Sequence, residues 1–234
     1  MIETEVQPRE RILRAASDIL ATQGREAVTT RAVSAAAGVQ PPTIYRHFGD
    51  MRQLVDAAAS SGMASYLKAK RRKLQTADPV EDLRRGWNLH VQFGIENPHL
   101  YTVLYGDPRP ESKPDGVAAG DTILLNLMHR VGEAGRLRVD VERAAAMVHS
   151  GCRGVALTLI ATPPADRDPE LSRATREALL AAVTTGETDH FTGSAIGPRA
   201  IALQSVLDKA PPTALTAAET GLLLEWLNRL STGS

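Results

Sequence analysis

Residues 29–48 read TTRAVSAAAGVQPPTIYRHF, and this stretch decides the fold. Its first half offers two hydroxyl caps, Thr29 and Thr30, then small helix-forming residues with Val33, Ala36 and Ala37 on one face. Gly38 follows where a chain leaving a helix turns through positive φ, which only glycine adopts without a Cβ penalty. Val39 is placed to plug the corner. Gln40 stands at an N-cap position and Pro41 at the first helical position, where the missing N–H is harmless and φ is already helical. Ile44 and Phe48, four residues apart, share one face of the second helix. Thr43, Tyr45, Arg46 and His47 are left for the remaining surface. A short helix that buries two apolar anchors and exposes hydroxyl, phenol, guanidinium and imidazole groups is equipped to meet a nucleic acid.

On the N-terminal side, residues 1–8 are polar and end at Pro8, as in a frayed tail. From Arg9 to Thr22, Ile12, Ala16, Ile19 and Leu20 recur at helical spacing, and Gly24 ends that helix. Three short helices then enclose a core of Ile12, Ile19, Leu20, Val28, Val33, Val39, Ile44 and Phe48. A domain this small is expected to lean on the helices C-terminal to it. On the C-terminal side, Gly49 and Asp50 are a stop and a fresh cap for a fourth helix, Met51 to Leu74.

The runs Ala37-Gly38-Val39, Thr43-Ile44-Tyr45 and Arg46-His47-Phe48 closely resemble the helix-turn-helix of the TetR family of bacterial transcriptional regulators, and the resemblance extends from about Arg9 to Asp56. By that resemblance the hydroxyl of Thr30, the phenol of Tyr45 and the imidazole of His47 fall on a phosphate-facing rim, with Gln40, Pro41, Thr43 and Arg46 nearer the bases. Gln pairs with adenine, Arg with guanine, and Thr touches a thymine methyl. Family members commonly carry lysine where Met51 stands, which leaves Arg52 as the nearby cation. Pro41-Pro42 also departs from the family, so base preference does not carry over. The plainer alternatives are that Tyr45 packs and that Arg46 pairs with Asp50.

Composition sets the bounds. The 234 residues are 43% hydrophobic, 23% charged and 4% aromatic, enough for a real core and favourable to helices. The 27 basic and 27 acidic residues balance, which argues against a protein that coats DNA nonspecifically. Residues 1–75 hold 12 Lys/Arg against 7 Asp/Glu, a net of +5, and residues 76–234 hold 15 against 20, a net of −5. That division suits a DNA-facing front and a body turned away from DNA. The single cysteine, Cys152, rules out an internal disulfide and fits a reducing cytoplasm. No apolar run is expected to cross a membrane and no export signal stands at the N-terminus, so a cytoplasmic location is expected.

Further helices are predicted at Pro79 to Glu96, His99 to Tyr105, Val117 to Leu137, Val141 to Ala161, Pro169 to Val183, Arg199 to Leu207, and from Thr216 through Leu230. Residues 106–116 and 184–197 read as loops. The basic cluster Lys68, Lys70, Arg71, Arg72, Lys73 lies about 25 Å along the fourth helix from its start. It reads as a solvated helix end and not as a DNA patch. No strand pattern competes, so the fold class is all-α: a three-helix DNA-binding domain over residues 1–50, then a larger helical domain over 51–234 for effector binding and dimerisation.

The resemblance implies a homodimer on a palindromic double-stranded DNA operator, since two recognition helices related by a two-fold axis read two half-sites. The dimer surface is expected on late helices, at Val148, Val155, Leu159, Leu223, Trp226 and Leu230. An excess of apolar surface there supports this, and completion of the monomer core is the alternative. Trp87, His90, Phe93, Tyr101, Tyr105, Met128, Met147, His149 and Cys152 mix aromatic and sulfur side chains with polar tips, as in a small-molecule cavity or a plain core. The expected function is a repressor released by a small, largely apolar effector; a regulator without a ligand, or an activator, is the alternative. Catalysis has thin support. His149 and Cys152, three apart on a helix, suit a metal or a thiol–imidazole pair but lack further ligands, Ser65 to Lys68 matches S-x-x-K by chance frequency, and no cofactor or metal is expected.

Overall fold

The computed structural model describes residues 7–73, 76–106, 113–185, 196–210 and 212–232, with the side chains of residues 65, 69–73 and 232 left out. Among the described residues there are eleven α-helices and no strand. The first three follow the sequence closely. Helix α1 (Pro8–Gln23) opens with proline in its first turn and closes at Gly24, whose φ is +83°. A 3-10 turn leads to α2 (Thr30–Ala37), where the hydroxyl of Thr29 accepts from the Ala32 N–H at 3.2 Å. Gly38 is left-handed, at φ 63° and ψ 43°, and the N–H groups of Gly38 and Val39 satisfy the carbonyls of Ala35 and Ser34. Helix α3 (Pro41–Phe48) buries Ile44 and Phe48 as its two anchors. In α2 the inward face differs from expectation by one position: Ser34 is buried with Val33 and Ala37, and Ala36 is exposed.

These helices share one hydrophobic cluster with α4 (Met51–Lys73) and α6 (Pro98–Tyr105). The cluster runs from Ile12, Val33 and Ile44 through Leu54 and Met63 to Leu100 and Leu104. The small bundle leans on α6 as well as α4. Gly24 abuts the His99 ring, and a methyl on Gly24 would stand 3.1 Å from Nδ1. Gly62 of α4 lets Leu100 approach to where a Cβ would otherwise stand.

A second cluster joins α5 (Pro79–Glu96), α7 (Asp115–Glu133), α8 (Val141–Ala161) and α9 (Leu171–Val183) around Leu83, Trp87, Met128, Val131 and Val148. Helix α7 stops at Glu133, four residues short of the predicted end. Gly135 turns the chain at φ +68°, and Leu137 pairs with Thr184 in an isolated antiparallel bridge that fastens the turn to the end of α9. Helix α8 corrects another expectation. By length and composition it is apolar enough to cross a bilayer, with a mean hydropathy of 1.3. Its apolar residues Val148, Cys152, Val155 and Leu159 belong to the second cluster, and Ala156 to the first.

A buried carboxylate organises the α4–α5 connection. Asp82, with no exposed surface, accepts from the Thr76 backbone and hydroxyl and from Arg130 of α7 at 2.8 Å, while Arg130 also donates to the Thr76 carbonyl. Burial alone would raise its pKa; the hydrogen bonds from Thr76 and Arg130 outweigh burial and lower it. The chain ends in a hairpin of α10 (Ile196–Lys209) and α11 (Ala217–Thr232), held by Ala200, Leu207 and Leu227. The hairpin leaves Leu203, Val206, Leu222, Trp226 and Leu230 exposed. Much of the predicted loop over 184–197 and part of that over 106–116 lie outside the described residues, as do all the side chains of the basic cluster except Lys68.

Candidate functional site

The helix-turn-helix presents its polar side chains on the surface opposite Ile44 and Phe48. Helix α3 starts abruptly because Pro41 and Pro42 fill its first two positions after Gln40 in extended conformation. Gln40, Pro41, Tyr45, Arg46 and Arg52 are exposed, and Thr30, Thr43 and His47 are half-buried. The hydroxyls of Thr30 on α2 and Tyr45 on α3 hydrogen-bond to each other at 2.9 Å, so two side chains expected on one rim form a unit. Tyr45 remains 46% exposed, which excludes the reading that it mainly packs.

Asp50 does not serve Arg46. It caps α4, accepting from the Gln53 backbone at 2.8 Å and from the Gln53 amide at 3.3 Å. Those bonds, the backbone one foremost, lower its pKa against the opposing effect of burial. His47 departs from expectation: its Nε2 is shielded from solvent and has no partner among the described residues. Arg9 adds support from behind, its guanidinium 5.1 Å from the Phe48 ring centre.

The body holds a narrow cavity between α4, α5, α6, α7 and α8. Its walls include Met63 and Tyr66 from α4, Gly86, Trp87 and His90 from α5, Tyr105 from α6, and Gly120 and Asp121 from α7. Leu124, Val148, His149 and Cys152 contribute to the other side. About 30 Å³ is open to the centre of a water-sized sphere, room for roughly two waters. Of the residues expected there, Trp87, His90, Tyr105, His149 and Cys152 line it.

The others sit behind the wall. Phe93 stacks on Tyr66 at 4.6 Å between ring centres, the Tyr101 hydroxyl bonds His90 Nε2 at 2.7 Å, Met128 is fully buried in the second cluster, and Met147 packs against that cluster's edge. Tyr66, Asp121, the two glycines and the aliphatic lining from Met63, Leu83, Leu124, Leu127 and Val148 were missed. Tyr66 lies on a helix whose inward stripe reads as ordinary core, Asp121 reads as an exposed charge, and a mid-helix glycine carries no signal of what it faces.

His149 and Cys152 each face a different partner. His149 Nδ1 lies 3.2 Å from Asp121 Oδ1, and the Cys152 thiol is directed at the Trp87 carbonyl at 3.9 Å. Among the described residues no group of three or more His, Cys, Asp or Glu is arranged to hold a metal ion. Val148, Val155 and Leu159, expected on a dimer surface, are buried in the protomer's own core; α8 exposes Ala146, Ser150, Gly154 and Thr158 instead. On α11, Trp226 and Leu230 are exposed and Leu223 is half-buried.

Residues 12–58 match the family described as bacterial regulatory proteins, tetR family. The chain is 41% identical over 61 residues to the class A tetracycline repressor of Escherichia coli, covering 26% of this chain and 28% of that protein. It is 31% identical over 101 residues to the transcriptional repressor KstR2 of Mycobacterium tuberculosis, covering 42% of this chain and 50% of that one. The aligned regions thus span half or less of these curated relatives.

Among solved structures, a protein of unknown function from Rhodococcus is similar over 79% of this chain and 100% of its own, with a TM-score of 0.64 and 22% identity. The regulator FadR of Bacillus subtilis, solved with stearoyl-CoA, is similar over 73% of this chain and 97% of its own, with a TM-score of 0.58 and 18% identity. At these identities the likeness is one of fold. With its helix-turn-helix geometry and the match over residues 12–58, the chain carries the N-terminal DNA-binding domain of the TetR family of bacterial regulators.

Proposed function

We propose that this chain is a cytoplasmic transcriptional regulator that binds a palindromic operator as a homodimer, represses, and is released when a small, largely apolar molecule enters the central cavity. The observation that carries the reading is the Thr30–Tyr45 pair, held on the exposed rim of a helix whose other face is anchored by Ile44 and Phe48. Phosphate contacts from such a rim set register, and Gln40, Thr43 and Arg46 supply base contacts. Residues 1–50 are the DNA reader and residues 51–234 the effector and dimer unit.

Dimerisation draws on the exposed apolar side chains of α11, Trp226 and Leu230, and on the exposed small-residue edge of α8. Coupling runs through α4 and α6, each of which shares the first hydrophobic cluster with the DNA reader and also walls the cavity. A coupling of about 1 to 3 kcal/mol weakens operator affinity roughly 5- to 150-fold. The repressors among the relatives support repression over activation.

Selection of bound sequences from random double-stranded DNA by the full chain tests the reading. A palindrome with half-sites about one helical turn apart is the expected result. No enrichment at moderate ionic strength overturns it.

A further inference from the structure

The cavity contains one polar group that its own protein leaves unserved. Tyr105 is 4% exposed, it lines the cavity, and among the described residues its hydroxyl has no hydrogen-bond partner. Its ring is held on three sides, tilted against Tyr101, edge-on to His149 and beneath the Arg153 guanidinium, which also donates to the Tyr105 carbonyl. The phenol is therefore fixed in place while its oxygen faces open space. A hydroxyl on the cavity wall that no protein group serves is free to donate to a ligand oxygen.

The charge around it selects the kind of oxygen. The residues lining the cavity include no Lys or Arg, and the one carboxylate among them is Asp121. Both Asp121 oxygens are engaged, one with His149 and one with Lys113 at the exposed rim. Burial raises the pKa of Tyr105, Asp121 adds to the rise, and Arg153 opposes it only in part, so the phenol remains a donor. An anionic ligand would lie beside a carboxylate in a chamber whose lining includes no Lys or Arg to pair with it. The rest of the lining is largely aromatic and aliphatic, as at Trp87, Tyr66 and Leu124, with the His90 and His149 imidazoles and the Cys152 thiol among it.

Resting on the reading of this cavity as the effector site, we infer that its ligand is a compact, uncharged, largely apolar molecule bearing an oxygen acceptor, which takes a hydrogen bond from Tyr105. Ketones and similar neutral oxygen compounds fit this chemistry; carboxylates do not. The small free volume requires flexible lining such as Met63 and Leu124 to yield on entry.

The test uses the full chain and three probes of one skeleton: acetophenone, ethylbenzene and benzoate. Affinity is read by ligand-observed NMR for the wild type, Tyr105→Phe and Gly120→Ala. A methyl on Gly120 would lie 3.4 Å from Met63 Cε and 3.7 Å from the Tyr105 oxygen, ordinary contacts that fill the chamber without a clash. Acetophenone is expected to bind at least about tenfold tighter than ethylbenzene, benzoate not measurably, and Tyr105→Phe to bring the ketone down to the hydrocarbon level. Gly120→Ala is expected to block both neutral probes.

Benzoate binding as tightly as the ketone, or a ketone preference that survives Tyr105→Phe, overturns the oxygen anchor and leaves the effector cavity standing. Absence of binding by all three probes, or binding indifferent to Gly120→Ala, overturns the cavity reading along with the inference.

Discussion

The hydroxyls of Thr30 and Tyr45 lie 2.9 Å apart, one on each helix of the helix-turn-helix, so the rim expected to meet DNA is tied across the turn. Each hydroxyl also orients the other. Thr30→Ala and Tyr45→Phe are each expected to weaken operator binding by about 1.5 kcal/mol, roughly tenfold, because a hydrogen bond to a charged phosphate is at stake. The double variant should lose less than the product of the two. Strict additivity in a quantitative binding titration would show that the pair does not act as a unit.

Base preference should separate from overall affinity. Gln40→Ala and Thr43→Ala are expected to change the ranking among operator variants by about 1 to 3 kcal/mol at the affected base pair. Thr30→Ala should lower affinity for all of them alike. Binding arrays over single-base variants make this comparison.

Acid should weaken the Asp82 site. Its folded pKa lies below the ordinary value of 3.8, so its stabilisation is fully present above the unfolded value and is lost as pH falls through the folded one. Asp82→Ala leaves Arg130 and the Thr76 groups without their shared acceptor, and a loss of about 3 kcal/mol is expected in denaturant unfolding at pH 7. Below about pH 4 the difference between wild type and variant should shrink. A difference that is constant with pH would mean the carboxylate charge is not what matters.

Two glycines should respond to substitution to different degrees. Gly38 is left-handed with open space around it, so Gly38→Asn is expected to cost about 1 kcal/mol or less. Gly24, at φ 83° and ψ 178°, occupies a region that is essentially glycine's alone, and its Cα faces His99. Gly24→Ala should cost about 1 to 3 kcal/mol. Thermal unfolding of the two variants side by side checks the ranking.

Trp226 is 52% exposed on α11, an unusual position for an indole in a protein this poor in aromatics. Trp226→Glu is expected to shift the sedimentation coefficient from dimer to monomer and to lower operator affinity more than tenfold, because a half-site alone supplies few contacts. An unchanged dimer would direct attention to the small-residue edge of α8.

The helix-turn-helix was legible because its signals are local: Thr29 caps, Gly38 turns, Pro41 starts, and Ile44 with Phe48 sets the face. The one-position error in α2, Ser34 for Ala36, arose because alanine gives no preference between inside and outside. The cavity was half legible. Trp87, His90 and Tyr105 were identifiable as large or polar residues on apolar helices, whereas Asp121 looked like any exposed charge until α8 brought His149 beside it. Val148, Val155 and Leu159 were read as free because α8 is apolar nearly all round; α5, α7 and α9 take up that surface, and nothing in the sequence of α8 alone states how many neighbours it has.

The eight residues of α6 span only about 12 Å, with Tyr105 against the cavity at one end and His99 against Gly24 at the other. A helix of two turns has no joint along its length, and Pro98 at its start allows little slack. On the proposed function it would work as a pushrod: a ligand that tilted the phenol at one tip would move the foot of the first helix at the other, without any intermediate part having to change shape.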